Sequence, residues 1–95
     1  MLMALPVTAF AQIAEYSSRV VDARTGEPLV SATVAVASDK ATVTNGDGVF
    51  SINADGDDVL RISYIGYKSL VVRAKELPMK IALQPAEIVL DEVVS

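Results

Sequence analysis

The 95-residue chain is predicted to be all-β and to fold as a seven-stranded Greek-key β-sandwich, and three features of the sequence predict this. Apolar, often β-branched residues alternate with polar residues at a period of two, as in strands with one buried face. Gly, Pro, Asp and Asn separate these runs at short intervals. After residue 11, no segment of ten or more residues has apolar positions at helical spacing, so helix content should be close to zero.

The first three strands are predicted from alternation and from the turns that bound them. They cover residues 17–22, 29–37 and 41–44. Gly26, which can adopt positive φ, and Pro28, which lacks an N–H group, end the first strand. In the second strand Ala32, Val34 and Val36 should point to one face, since alternate side chains point to opposite faces.

The remaining four strands are predicted at residues 49–54, 59–65, 67–73 and 79–84. The segment 45–48, Asn-Gly-Asp-Gly, is the strongest hairpin signal in the chain. Gly66 indicates a bulge or bend between the fifth and sixth strands. The inward positions of all strands define the predicted core: Val20, Val34, Val36, Phe50, Ile52, Leu60, Ile62, Tyr64, Ile81 and Leu83.

Composition excludes several function classes. The chain has no Cys and no His, so disulfides, thiolate metal sites and Ser-His-Asp or Cys-His catalysis are excluded. The net charge of −4 would repel nucleic acid, which is therefore not an expected partner. No catalytic residue, cofactor or metal ligand is predicted, and an enzyme is the least expected class.

Residues 1–11 differ from the rest of the chain. They read MLMALPVTAFA, have no charged side chain and are too short to span a bilayer. Ala9 and Ala11 match the small-x-small pattern before a signal-peptidase cleavage site, although the basic start is missing. We expect a signal peptide whose true start lies upstream, with Gln12 as the first mature residue. A buried N-terminal strand or helix is the alternative.

Two polar segments invite a binding interpretation. Residues 53–58 are rich in Asp, but a calcium loop needs Gly at position six and Glu at position twelve, where this chain has Asp58 and Tyr64. A solvated turn is expected instead. Tyr64 and Tyr67 have the aromatic faces that stack on sugars, but packing is the favoured interpretation for both.

The C-terminal segment has no assigned partner strand. After Pro85 and Ala86, residues 87–95 read EIVLDEVVS and are apolar and β-prone. They could add to an edge strand of their own domain, or pair with another protein's sheet edge by β-augmentation. The residues alone leave both alternatives open.

Three segments together resemble a known family. Residues 19–34, 44–52 and 63–68 resemble, in order and spacing, the signature segments of the carboxypeptidase-regulatory-like domain. The resemblance implies a transthyretin-like (prealbumin-type) sandwich. It divides the chain into a leader at 1–11, a domain at 12–84 and a tail at 85–95.

The tail resembles a TonB box, through Leu90, Asp91, Glu92, Val93 and Val94. This domain followed by such a tail is similar to the N-terminal extension of SusC-like TonB-dependent outer-membrane receptors. The similarity implies an exported, non-catalytic accessory domain at the periplasmic face of the outer membrane. Its partners would be the TonB C-terminal domain or the receptor's own plug and barrel, with no direct membrane span.

The sequence departs from the receptor pattern after the tail. Ser95 stands where a third Val is common, and no plug or barrel segment is present. We expect either a truncated receptor or a free-standing secreted module that binds a glycan or a partner protein. The DNA that follows Ser95 would discriminate them, since a receptor frame would continue into a Gly-rich plug.

Overall fold

The computed structural model describes residues 13–36 and 40–86, and within them the all-β prediction is confirmed. The strands are β1 (Ile13–Asp22), β2 (Thr33–Val36), β3 (Lys40–Val43), β4 (Val49–Asp55), β5 (Val59–Ser63), β6 (Leu70–Arg73) and β7 (Lys80–Leu83). A single 3₁₀ turn at Ala74–Glu76 is the helical structure in this part of the chain. None of the described residues forms a helix long and apolar enough to cross a membrane.

The strands form two sheets, one in the order β4-β1-β7 and the other in the order β3-β2-β5-β6. β1 is antiparallel to β4 and parallel to β7, and all pairs of the four-stranded sheet are antiparallel. Ile13 pairs with Asp55, whereas Asp22 pairs with Leu83. The chain therefore enters β1 at one end of the sandwich and leaves β7 at the other end.

The core lies between the two sheets, as the alternation predicts. Nine of the ten predicted core residues are buried, and the exception is Tyr64, which is half-buried and packs against the core. Tyr64 lies just past the end of β5, where the sandwich opens to solvent. Leu29, Ala32, Ala54 and Ala74 complete the core. None of these four was among the predicted core residues, although Ala32 was expected to share a face with Val34 and Val36.

Several strand bounds differ from the prediction. β1 begins at Ile13 rather than at residue 17, because the pairing with β4 continues to Asp55. β2 begins only at Thr33, since Ser31 has a φ of 69°, which interrupts extended backbone. β6 begins at Leu70 rather than at residue 67, and β5 ends at Ser63 rather than at residue 65. The residues between them form a turn that contains Gly66.

The segment 45–48 is a tight turn, but the hairpin prediction is wrong. The Gly48 N–H donates to the Asn45 carbonyl at 2.9 Å. The strands on either side of the turn do not pair, since β3 belongs to the four-stranded sheet and β4 to the other. β4 pairs instead with β1, a strand that ends more than twenty residues earlier. The local turn chemistry does not specify which sheet the next strand joins.

Candidate partner-binding site

The predicted partner-binding residues Leu90, Asp91, Glu92, Val93 and Val94 lie outside the described residues. The predicted leader at residues 1–11 also lies outside them. The structure does define the point from which the tail departs. It also defines how that point is held and which surface lies next to it.

Residues 84–86 leave β7 and pair with residues 66–68 as a short antiparallel bridge. The Lys68 N–H donates to the Gln84 carbonyl at 2.8 Å, and the Ala86 N–H donates to the Gly66 carbonyl at 2.8 Å. Tyr67 and Pro85 face each other between these two bonds. Pro85 has no N–H group, but this position of the bridge requires none. The chain is therefore fixed to the domain as far as Ala86.

Tyr67 ties this bridge to the first turn of the chain. Its hydroxyl donates a hydrogen bond to Asp22 Oδ2. Asp22 Oδ1 accepts the N–H groups of Arg24 at 2.6 Å and of Thr25 at 2.9 Å. One carboxylate thus closes the turn after β1 and fixes the tyrosine that faces the departing chain.

These hydrogen bonds shift the pKa values of both side chains. The Tyr67 hydroxyl, followed by the backbone N–H of Thr25, lowers the pKa of Asp22 below its ordinary value. The carboxylate of Asp22, followed by desolvation, raises the pKa of Tyr67. Both shifts favour the state in which Tyr67 is neutral and Asp22 is charged, because that state makes the hydrogen bond.

Packing, the favoured interpretation of the two tyrosines, agrees with their surroundings. Tyr64 and Tyr67 are partly buried and pack against the core. Their ring centroids are 5.5 Å apart and the ring planes are tilted by 54°, an ordinary aromatic contact. The hydroxyl of Tyr67 is already engaged by Asp22. The short motif Asp22-Ala23-Arg24-Thr25 is a recognisable Asx-turn signal, but nothing local in the sequence indicates its bond to Tyr67.

The other signature residues also have structural roles. The Thr44 hydroxyl is buried, donates to the Leu29 carbonyl at 2.5 Å and accepts the Ala32 N–H at 2.9 Å. Gly48 has a φ of 77°, and a Cβ there would lie 2.6 Å from the Val20 carbonyl oxygen. The signature residues at these positions hold the fold together and leave no free reactive group.

The carboxylates of the acidic turn are used within it. Asp58 Oδ2 accepts the Asp55 N–H at 3.1 Å, and Asp55 Oδ1 accepts the Asp57 N–H at 2.8 Å. Asp57 forms an exposed ion pair with Lys75 at 2.9 Å. Within residues 13–36 and 40–86 there is no group of three His, Cys, Asp or Glu side chains that could hold a metal ion.

Neighbouring side chains engage three backbone groups on the free edge of β4. Asn45 Oδ1 accepts the Val49 N–H at 3.0 Å, and Lys40 Nζ donates to the Asn53 carbonyl at 3.1 Å. The Asp55 N–H is taken by Asp58. All three residues belong to the alternating set of β4 whose backbone groups face away from β1. They are therefore not free to accept an added strand.

The largest exposed apolar side chain near the departing chain is Ile65. It is 89% exposed and occupies the turn between β5 and β6, where the Tyr67 N–H donates to the Tyr64 carbonyl at 3.0 Å. A cavity of about 440 Å³ lies beside it, lined by Ser31, Thr33, Ser63, Tyr64 and Ile65. None of these lining residues is charged.

Comparison with known proteins shows what this chain is similar to. A family model described as the CarboxypepD_reg-like domain matches residues 16–95. The TonB-dependent receptor SusC of Bacteroides thetaiotaomicron is 37% identical to this chain. The alignment is 95 residues long and covers 95% of this chain. The same alignment covers 9% of the receptor, so this chain spans only a small part of the length of that relative.

Proposed function

Because the chain belongs to the CarboxypepD_reg-like domain family, we propose that it is a non-catalytic accessory domain of a TonB-dependent outer-membrane nutrient receptor. The observation that carries this proposal is the 37% identity to SusC, which extends over 95% of the chain. The domain then lies at the periplasmic face of the outer membrane. The plug, the barrel and the import of a nutrient belong to the part of such a receptor that this chain does not span.

The tail pairs with the edge of the TonB C-terminal sheet by β-augmentation, through residues 90–94. Three features support pairing with a partner over return to the domain's own edge. Ala86 is held at its bridge to Gly66, residues 87–89 contain no Gly, Pro, Asn or Asp to reverse the chain, and three backbone groups on the free edge of β4 are already hydrogen-bonded. Backbone pairing then supplies much of the affinity and the side chains fix the register.

Asp91 and Glu92 would add an electrostatic contribution. They steer the tail towards a basic partner surface and raise the association rate. Added salt should therefore slow association, while the backbone pairing itself is much less affected.

An NMR titration of the full chain with a purified TonB C-terminal domain tests this function. Shift changes and line broadening are expected in residues 88–94. Shift changes confined to the domain, with the tail unaffected, would exclude the tail as the contact. A chain in which Val93 and Val94 are both replaced by Pro is the negative control, because proline cannot donate to a sheet edge.

The absence of an enzymatic role is part of the same proposal. The side chains of Asp22, Thr44 and Asn45 are engaged in hydrogen bonds with the backbone. A general acid or base needs a free proton-transfer partner in reach of a substrate. These groups serve the turns instead.

We also propose that the two sheets form the prealbumin-type Greek key that the family resemblance implies. β4 returns to lie beside β1 after the β2–β3 pair, which is the Greek-key arrangement. The strand orders β4-β1-β7 and β3-β2-β5-β6 support this topology. An experimental structure in which β4 pairs with β3 instead would contradict it.

Export follows from the receptor proposal and is tested separately. Cleavage after Ala11 leaves Gln12 at the N-terminus, and mass spectrometry of the exported protein should find that residue, often cyclised. A mature chain that retains Met1 would contradict the predicted leader.

A further inference from the structure

The exposure of Ile65 is not explained by the fold. A turn of this kind ordinarily has polar residues or Gly and Pro at its apex. Ile65 is 89% exposed and contributes nothing to the core. The positive φ that the turn requires, 89°, is adopted by the next residue, Gly66. A nearly fully exposed isoleucine at a turn apex is a feature that contact with another molecule would use.

The surface around Ile65 has a shape and a chemistry suited to a neutral partner. Besides Ile65, the adjoining cavity of about 440 Å³ is lined by Ser31, Thr33, Ser63 and Tyr64, four residues with hydroxyl groups. We call Ile65 and these four residues the tip surface. It carries no charged lining residue, so a partner is held there by apolar contact and neutral hydrogen bonds.

The tip surface lies next to the point from which the tail departs. The Ala86 N–H is hydrogen-bonded to the carbonyl of Gly66, the neighbour of Ile65. Only residues 87–89 separate Ala86 from the predicted partner-binding residues 90–94. Three extended residues span roughly 10 Å, which is less than the width of a small domain. A protein bound at 90–94 is therefore held against this end of the sandwich.

We propose that the tip surface is a second contact for the TonB C-terminal domain, used when its sheet edge takes residues 90–94. This inference rests on the proposed function, because the tail must bind first. The part of the TonB domain that covers the tip surface would be an apolar, uncharged patch next to the strand edge that takes residues 90–94. The contact makes the folded domain part of the binding site and not only a spacer.

The size of the effect follows from burial. Covering one isoleucine side chain at an interface should strengthen binding by about tenfold, and losing it should weaken binding by the same factor. The contact involves no charge at the tip surface, so the effect of Ile65 should not change with salt. The contribution of Asp91 and Glu92 should decrease with salt, which separates the two.

Titration calorimetry of the full chain with a purified TonB C-terminal domain tests the proposal, using Ile65→Ser. The matched control is Met79→Ser. Met79 is 88% exposed but precedes β7, so the whole of that strand separates it from the tail. We expect the dissociation constant to rise about tenfold for Ile65→Ser and to stay unchanged for Met79→Ser.

A second pair of chains tests the role of the short spacing. Six Gly and Ser residues inserted after Ala86 let the partner move away from the tip surface. In that chain Ile65→Ser should have no effect, which a double-mutant cycle measures directly. An Ile65→Ser effect of the same size with and without the insertion would overturn the proposal.

A peptide of residues 86–95 distinguishes failure of the inference from failure of the proposed function. If neither the peptide nor the full chain binds TonB, the proposed function is wrong and the inference fails with it. If both bind with equal affinity and Ile65→Ser changes nothing, only the tip surface is excluded. The expected result is that the full chain binds about tenfold more tightly than the peptide.

Discussion

Two turns of this domain share a backbone feature but differ in what their side chains contact. Residues 45–48 and 64–67 each contain a glycine at positive φ. In the first turn, Asn45 accepts backbone N–H groups from Asp47 and Val49, and Gly48 packs closely under β1. In the second turn, Ile65 is exposed and Gly66 has open space around it. The first turn completes the fold, whereas the second presents a surface that the fold does not use.

The largest expected loss of stability comes from a substitution in β4, the strand that follows the first turn. Phe50→Ala should destabilise the domain by roughly 3–5 kcal/mol, because the side chain is buried in the core and a cavity remains. A domain of this size has little stability to spare, so urea denaturation should find it largely unfolded. Leu70→Ala, at a partly exposed position of β6, should cost much less. Equal losses would contradict the assignment of the core.

The comparison of the two glycines is the most direct test of the two turns. Gly48→Ala should cost about 2–4 kcal/mol, since it combines positive φ with a Cβ 2.6 Å from the Val20 oxygen. Gly66→Ala should cost only about 1–2 kcal/mol, because the strain of positive φ is present but no atom is near. Gly46→Ala, with neither feature, should be close to neutral. Thermal unfolding of all three variants measures the order.

Thr44 tests whether the residue before the first turn is also structural. Thr44→Val keeps the shape but leaves the Leu29 carbonyl and the Ala32 N–H without their buried partner, at a cost of about 2–3 kcal/mol. Thr33→Val is the matched control, because Thr33 is exposed on the outer face of β2. Comparable unfolding free energies for the two variants would show that the buried hydroxyl is not required.

Tyr67→Phe tests the second turn through its pH dependence. The pKa of Asp22 is lowered in the fold, so its contribution to stability is present above the ordinary aspartate pKa of about 4 and is lost as pH falls through the folded value. The pKa of Tyr67 is raised, so its contribution is present below about pH 10 and is lost as pH rises through the folded value. The variant should therefore be less stable than wild type between these limits, by less than Thr44→Val.

Thermal unfolding from pH 2 to pH 11 checks this expectation. The difference between wild type and Tyr67→Phe should shrink at both ends of the range. Glu27→Gln, which removes an exposed carboxylate in the same turn, is the control for a general charge effect. A difference that does not depend on pH would mean that the bond to Asp22 contributes nothing.

The smallest expected effect on stability belongs to Ile65. Ile65→Ser should change the unfolding free energy by no more than about 0.5 kcal/mol, because the side chain is 89% exposed. Urea denaturation measures it beside Met79→Ser. A large loss of stability would mean that Ile65 supports the fold, and the two turns would then not differ in use.

Alternation along the chain was enough to predict that these segments are strands and to identify most of the core. Val34 and Val36, or Phe50 and Ile52, lie at a spacing of two and face inward as that spacing requires. Tyr64 followed the same alternation but lies past the end of its strand, so it is only half-buried. The turns at Gly26, Gly48 and Gly66 were recognisable from the sequence, because glycine favours the positive φ that turns often require. All three glycines do adopt a positive φ in the structure.

The side-chain hydrogen bonds between distant parts of the chain were not predictable in the same way. Tyr67 and Asp22 are 45 residues apart, and Thr44 bonds to Leu29 across 15 residues. No periodicity in the sequence relates such positions. All four residues lie in the segments that resemble the carboxypeptidase-regulatory-like domain. The resemblance gave no indication that their side chains form hydrogen bonds between these segments.

The amino-acid sequence by itself determined that the chain is all-β, which face of each strand is buried, and that no Cys or His chemistry is possible. Those properties depend on residue type and on spacing within one strand, which act locally. Only the tertiary structure decided that β4 joins β1 and not β3, that Tyr67 fixes the exit of the chain and that Ile65 remains exposed. These depend on which distant strands pack together, and burial of the whole core decides that pairing.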